Sequence, residues 1–579
     1  MTWQLKQRLQ KMLAEEKGAQ IFSPGARGGF ALAYPNSYHI GMSNLGLHIL
    51  YDQINSRTDT ACERIFFPEP KVLQEYEKTR TPLLTMETQR PLYEFPLIGF
   101  AVSFEMDYFH MVTMLQLGKV PLLANERKED DPLVLVGGPC ATFNPEPLAD
   151  FVDLFIIGEG EEVIHEVLDI YYQAKNELLS RRQLLLRLAN IDGVYVPCFY
   201  QPIYQPDGVI QEICQTEQVP AKIQRRWVRD FDRYAGQTAI MTANTEFRDM
   251  FLIELARGCG RHCRFCMAGY CFRRPRVKSL QNIEQSLQQA AAHGAKVGLV
   301  GAAVSDYPEI DRLCREVLPP DMLFSVASLR ADSLTPDLVS SLAACGQKTI
   351  TLAPEAGSDR LRKVINKGIT NEHLSRAVTM AIQAGIPNVK LYIMIGLPFE
   401  EEEDNTAIVS MAQEIKRLMT ALGSKGKLTL SVNPFIPKPC TPFQWLPMAE
   451  EAVVETRLKN IRSELQKEKG IIVIAESIRE AYVQAILARG DRHLSAVLAE
   501  AAQKNGVKAF RRVMKEYNLD ERFYLYRRRS FSEVLPWDHL DIGVAREYLA
   551  DELHKAEQQQ YTAPCAPGCT RCGVCHSGE

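Results

Sequence analysis

Short apolar runs of four to seven residues alternate with longer amphipathic stretches through most of the first 450 positions. The runs Phe30–Tyr34, Leu97–Ser103, Leu133–Val136 and Leu154–Ile157 predict strands, and Asn44–Leu50 and Asp107–Leu117 predict helices between them. Strands separated by helix-length spacers predict a parallel, doubly wound sheet over residues 1–225, with ligands at the carboxyl ends of its strands. Those ends carry Ser103, Gly137, Gly138 and Gly158, whose small side chains let a bulky guest or a partner domain reach the backbone. Residues 226–246 are polar and charged and read as a linker. From 247 to 450, six apolar segments recur: Phe251–Ala256, Val297–Val300, Leu323–Val326, Thr349–Leu352, Val389–Ile395 and Leu428–Val432. Helical spacers between them predict a partial barrel of six parallel strands with right-handed crossovers. Residues 451–560 read as mainly helical, starting with Met448–Lys469 and Glu476–Leu487, and residues 561–579 as a cysteine-rich tail.

Composition adds little until the cysteines are placed. The formal net charge of −4 gives no global polyanion signal, and no apolar run is long enough to span a bilayer. The first residues lack a secretory pattern. Of 15 cysteines, seven fall in two tight clusters, which fits reduced thiols and metal ligands in the cytoplasm.

The first cluster, Cys259, Cys263 and Cys266, has the spacing C-x3-C-x2-C on a loop that leaves the first strand of the expected barrel. Four thiolates close a metal site, whereas three leave a position open for chemistry. Arg257, Arg261 and Arg264 flank the thiols and are expected to offset their charge. Cys271 is a candidate fourth ligand if the loop binds zinc instead. The second cluster, Cys565, Cys569, Cys572 and Cys575, reads C-x3-C-x2-C-x2-C among Pro and Gly turns, and ligand type permits either a [4Fe–4S] cluster or zinc.

The first cysteine loop, with Phe265 before its last cysteine, resembles that of radical SAM enzymes. The resemblance implies a [4Fe–4S] cluster on Cys259, Cys263 and Cys266 whose free iron chelates S-adenosylmethionine. It also implies an external electron donor of the flavodoxin or ferredoxin type. Motifs at later strand ends match in order. The resemblance places Gly301, Ser328, Arg330, Glu355, Gly396 and Asn433 around S-adenosylmethionine, with Arg330 toward its carboxylate and Glu355 toward its ribose or ammonium. The first 225 residues resemble the B12-binding-like domain that precedes many such barrels, with Ser103, Gly137 and Gly138 on the cofactor side. Ser37-Tyr38-His39-Ile40-Gly41 departs from the cobalt-ligating D-x-H-x-x-G pattern, so either cobalamin binds without that histidine or the sheet is a scaffold. With cobalamin, the resemblance implies methyl transfer; without it, hydrogen abstraction with rearrangement or sulfur insertion. A non-catalytic iron–sulfur sensor is the rival from another class. The basic, aromatic runs Cys271–Lys278 and Arg522–Arg529 leave RNA or the ribosome open as a partner, against charge compensation within the fold.

Overall fold

In the computed structural model, which describes residues 2–23, 25–319 and 321–575, two parallel β/α layers face each other. The first sheet contains β1 (Gly28–Tyr34), β2 (Thr60–Phe66), β3 (Leu97–Ala101), β4 (Leu133–Gly137), β5 (Leu154–Ile156) and β6 (Val194–Tyr195). Their spatial order is β2-β1-β3-β4-β5-β6, parallel except for β6. The order reverses between β1 and β3, the crevice at which open α/β sheets take ligands. The helix Leu45–Asn55 of this layer starts where the Asn44 side chain accepts from Leu47 N, so an N-cap fixes its entry beside that crevice.

Sequence patterning missed β2 and the preceding helix Thr2–Ala14. The run Thr60–Phe66 interrupts its apolar residues with Glu63 and Arg64, yet both are buried. Arg64 forks between Glu87 at 2.7 Å and Glu16 at 2.6 Å, so paired charges take core positions that a hydropathy pattern assigns to the surface.

The barrel strands Met250–Glu254, Lys296–Val300 and Phe324–Val326 form one parallel set. Thr349–Glu355, Asn388–Ile395, Leu428–Pro434 and Ile471–Ile474 form another. A parallel bridge between Leu329 and Leu352 joins the two sets into one arc. All six expected segments are strands, and Ile471–Ile474 extends the arc by a seventh where the sequence suggested the start of the helical region. The helices Ile478–Arg489, Leu494–Lys504, Val507–Glu516 and Arg546–Glu557 follow.

Residues 226–246 are tied down on both sides. Val228 N donates to Glu159, Thr238 N donates to Leu252 O at 3.0 Å, and Met241 pairs with Lys17. The segment therefore seams the two layers together.

Candidate active site at the junction of the two layers

The mouth of the barrel and the carboxyl edge of the first sheet enclose a cavity of about 450 Å³. Ser103, Gly137 and Gly138 line one wall, and Gly258 and Gly301 line the other. A Cβ on Gly137 would meet only Ile156 Cβ at 3.8 Å, so the backbone there is open to a guest. Gly138 is constrained differently: its φ of 102° and the Val102 carbonyl 2.6 Å from a notional Cβ both require glycine. The Ser103 hydroxyl accepts from the Asn44 carboxamide at 3.3 Å, fixing its direction at the crevice.

Across this cavity runs a buried ion network. Glu159, from the first layer, takes Arg276 at 2.5 Å and Arg257 at 3.3 Å, both from the barrel. Arg257 also reaches Glu161 at 2.6 Å and Glu254 at 2.8 Å. Burial pushes the Glu159 carboxyl up, but Arg276 and Arg257 outweigh it and hold it below the usual range.

The cysteine loop begins two residues after Arg257. Gly258 turns it with φ 77°, and Phe272 O would lie 2.0 Å from a Cβ there. The Cys259, Cys263 and Cys266 thiols are close enough to repel one another as thiolates, and burial pushes Cys266 up to about 12. The free Cys259 and Cys266 thiols therefore hold their protons, and a metal must displace them. Among the described residues no three His, Cys, Asp or Glu donors converge on one ion. Three thiols on separate irons of a cubane stand wider apart than ligands of one ion, so the donor set fits a cluster better than a single zinc.

The flanking arginines do not serve the thiols as expected. Arg257 is held by three carboxylates, Arg261 by Asp306 at 2.8 Å and Asp332 at 3.1 Å, and Arg264 by Glu552 at 3.1 Å. The cations whose charge reaches the thiols are Arg330, near Cys259 and Cys263, and Lys367, near Cys263 and Cys266. Lys367 was not singled out from sequence. It follows the helix Asp359–Val364 without a motif, and only the fold brings it to the loop. Burial works against its charge, but Glu355 Oε1, 3.1 Å away, keeps its pKa raised.

Arg330 is buried, forked on Asp332 at 3.0 Å, and donates to Lys367 O at 2.8 Å. Glu355 adopts φ 67° at its strand end. Arg330, Glu355 and the three cysteines thus share one neighbourhood, and Gly301 faces the cavity. Ser328 is exposed. Gly396, at φ 76°, turns against Val454 and Ala449, while the Asn433 carboxamide oxygen accepts from Glu476 N at 3.3 Å. Both sit on the later strand ends.

Three further sequence readings now have a place in the fold. Cys271 is buried with its thiol against Cys440, where it shares a hydrogen bond, so it is not a fourth ligand. His39 lies outside the cavity, held by Asn244 at 3.1 Å and Glu246 at 3.2 Å, so it offers no axial ligand there. The basic runs are largely spent within the fold. Arg273, Arg276, Lys278 and Arg529 are buried, Arg527 pairs with Glu533 at 2.6 Å, and Arg528 with Glu557 at 2.8 Å. These residues compensate charge within the fold, while Arg522 and Arg528 stay exposed beside Glu450 and Glu557.

Sequence comparison shows which proteins the chain resembles. The family model for the N-terminal region of radical SAM proteins matches residues 46–197, and that for the radical SAM superfamily matches residues 253–412. The Methanocaldococcus jannaschii protein MJ0966 is 30% identical over 475 residues, covering 81% of this chain and 90% of its own. A tRNA-2-methylthio-N(6)-dimethylallyladenosine synthase from Carboxydothermus hydrogenoformans is 26% identical over 28% of this chain, which spans 40% of that enzyme. Among solved structures, the radical S-adenosylmethionine methyltransferase TsrM from Kitasatospora setae aligns with TM-score 0.44 at 16% identity, over 70% of this chain and 73% of that one. The cobalamin-dependent S-adenosylmethionine radical enzyme OxsB aligns with TM-score 0.46 at 12% identity, over 92% and 79%. No helix among the described residues is long and apolar enough to cross a membrane. With both of its β/α layers matched and MJ0966 aligned over most of its length, the chain belongs to the radical SAM superfamily, enzymes that use a [4Fe–4S] cluster and S-adenosylmethionine.

Proposed function

We propose that this protein cleaves S-adenosylmethionine reductively at the Cys259–Cys263–Cys266 loop and directs the product toward a guest held between the two layers. The observation that carries this reading is the shared cavity, in which bare backbone from the first sheet faces Gly258 and Gly301 beside the cysteine loop. The cluster, when bound, supplies the electron that breaks the sulfonium bond. The chain's own part is to seat the thiols on a glycine turn and place Arg330 and Lys367 beside them. Buried cations there favour the deprotonated thiols that iron requires and provide donors for a carboxylate. Arg330 and Glu355 are the candidate contacts for the amino-acid end and ribose of S-adenosylmethionine, with Gly301 allowing close approach.

The guest that best suits the first wall is cobalamin, which when bound carries a methyl group for transfer to a poorly activated carbon. The open backbone at Gly137, the cavity at the sheet's reversal point and the exclusion of His39 all suit a corrinoid held without a protein histidine. The donor that reduces the enzyme is a flavodoxin- or ferredoxin-type protein. All 15 cysteines are free thiols, which fits a reducing, cytoplasmic setting.

Anaerobic reconstitution with iron, sulfide, reductant and S-adenosylmethionine tests the catalytic reading. The protein is expected to release 5′-deoxyadenosine, and none would appear if it were a sensor or scaffold. Supplying cobalamin and recording its absorption after gel filtration tests the guest; a flat spectrum would remove methyl transfer and leave hydrogen abstraction.

A further inference from the structure

The cysteine-rich tail does not hang free. Cys565 N donates to Gly260 O at 2.8 Å, so the tail's first cysteine is bonded to the residue that follows Cys259. His262, the residue before Cys263, is buried between the two cysteine sets. Arg273 Nη1 lies 2.9 Å from His262 Nδ1 and 3.4 Å from Nε2, and the Tyr548 hydroxyl also meets Nδ1; a guanidinium only donates, so the nearer, doubly contacted Nδ1 accepts and Nε2 carries the proton. That Nε2–H faces Cys565 Sγ at 3.5 Å. Asn366 closes the join. Its amide nitrogen donates to the carbonyls of His262 and Thr562, both at 3.0 Å, and its oxygen accepts from Thr562 N at 2.8 Å. Cys569 and Cys572 each lie within electrostatic reach of Cys565, and Cys572 O is fixed by Ala545 N at 2.9 Å. The opposite side of the tail is exposed at Ala566, Pro567, Gly568 and Gly573.

One side of this four-thiol loop therefore meets solvent and the other is hydrogen-bonded to the loop that holds the first cysteine set. A bonded path runs from Cys565 through its own backbone N–H to Gly260 O and on to Cys259. N–H donors to ligating sulfur stabilise the reduced, more negative state of a cluster. We propose that Cys565, Cys569, Cys572 and Cys575 bind a second iron–sulfur cluster, through which an electron from a carrier protein passes to the cluster on Cys259, Cys263 and Cys266. The step moves one electron and makes or breaks no bond. A reduced carrier of the flavodoxin or ferredoxin class loses the electron, the tail cluster gains and then returns it, and the first cluster ends one electron more reduced. The relay rests on the radical SAM reading of the first loop, whereas the second metal site does not.

The full chain, reconstituted anaerobically, should contain about eight iron atoms and about eight sulfides, two cubanes of four. A variant with Cys259, Cys263 and Cys266 changed to Ala should keep about four of each. Iron-free tail cysteines with zinc in that variant would overturn the proposal. Equal iron in wild type and variant would overturn the first-loop site and with it the relay, leaving the second site standing. In the Cys569→Ser, Cys575→Ser double variant, reduced flavodoxin should reduce the first cluster at least tenfold more slowly, followed by freeze-quench electron paramagnetic resonance, while dithionite still reduces it. An unchanged rate with flavodoxin would overturn the relay. Should the double variant lose both clusters, wild type alone decides. The tail signal, identified in the first-loop variant, should appear before that of the first cluster, and the reverse order would overturn the proposal.

Discussion

The two layers share one architecture and finish it in opposite ways. The first sheet ends in Ser103, Gly137, Gly138 and Gly158, with almost no side chain beyond the backbone. The barrel ends in Glu254, Arg257, Arg330 and Glu355, buried or half-buried and paired. A parallel β/α layer fixes where a site lies, and the residues just past each strand decide whether that place receives a guest or does chemistry. Here the receiving face and the reactive face are set against each other.

The largest effect should come from the reactive face. Cys263→Ala is expected to reduce 5′-deoxyadenosine release to background in a chromatographic assay while leaving the fold intact by circular dichroism, because it removes one of the three thiols we propose as cluster ligands. Next is the contact between the layers. Glu159→Ala leaves Arg276, buried, and Arg257, mostly buried, without their shared carboxylate, and removing one partner of such a network costs about 3–5 kcal/mol. Urea denaturation should register that loss, and a change under about 1 kcal/mol would mean the layers are joined elsewhere.

Acid should separate the layers in a third way. His48, beneath the first sheet, has its Nδ1 accept from Ile240 N at 3.3 Å and its Nε2 donate to Met42 O at 3.0 Å, a fully neutral arrangement. Burial lowers its pKa to about 4, and burial does the same to His539. Because both folded values lie below the unfolded value, the unfolded chain binds more protons in this window. The stabilisation is full above about pH 6.5 and is lost as pH falls toward 4, by about 3 kcal/mol per group. Thermal melts between pH 7 and 4 should show this decline, and histidine nuclear magnetic resonance titration should show His48 still neutral at pH 5.5. The smallest effect on stability sharpens the receiving face. Gly137→Val should alter stability by less than about 1 kcal/mol, since the added atoms enter open space, yet abolish cobalamin retention. Retained cobalamin would place the guest elsewhere.

How far the sequence reached follows the same division. Apolar runs disclosed the buried strands because a strand covered on both faces has little choice of residue. They failed at Thr60–Phe66, where Arg64 is neutralised by Glu16, just past the N-terminal helix and 48 residues away in sequence, a partner that local reading cannot supply. They failed again at Ile471–Ile474, an edge strand whose Ile472 and Ile474 remain exposed and whose flanks are charged. Within the site, the grouping of the cysteines was legible because a short spacing on one loop itself keeps the thiols near each other. Lys367 was not, because its meaning lies in the 3.1 Å to Glu355 and in the approach to Cys263, both set by tertiary packing. Arg257, Arg261 and Arg264 were misread for the converse reason: adjacency to a thiol in sequence says nothing about which carboxylate claims a guanidinium in space.

Glu159 gives the arrangement a mechanical meaning. It lines the guest's chamber, yet it also grips Arg257, two residues upstream of Cys259. Anything that settles into the chamber and disturbs that carboxylate tugs on the strand that carries the cysteine turn. One carboxylate thus serves as both a wall of the chamber and an anchor for the approach to the cysteine turn, so neither can be altered without touching the other.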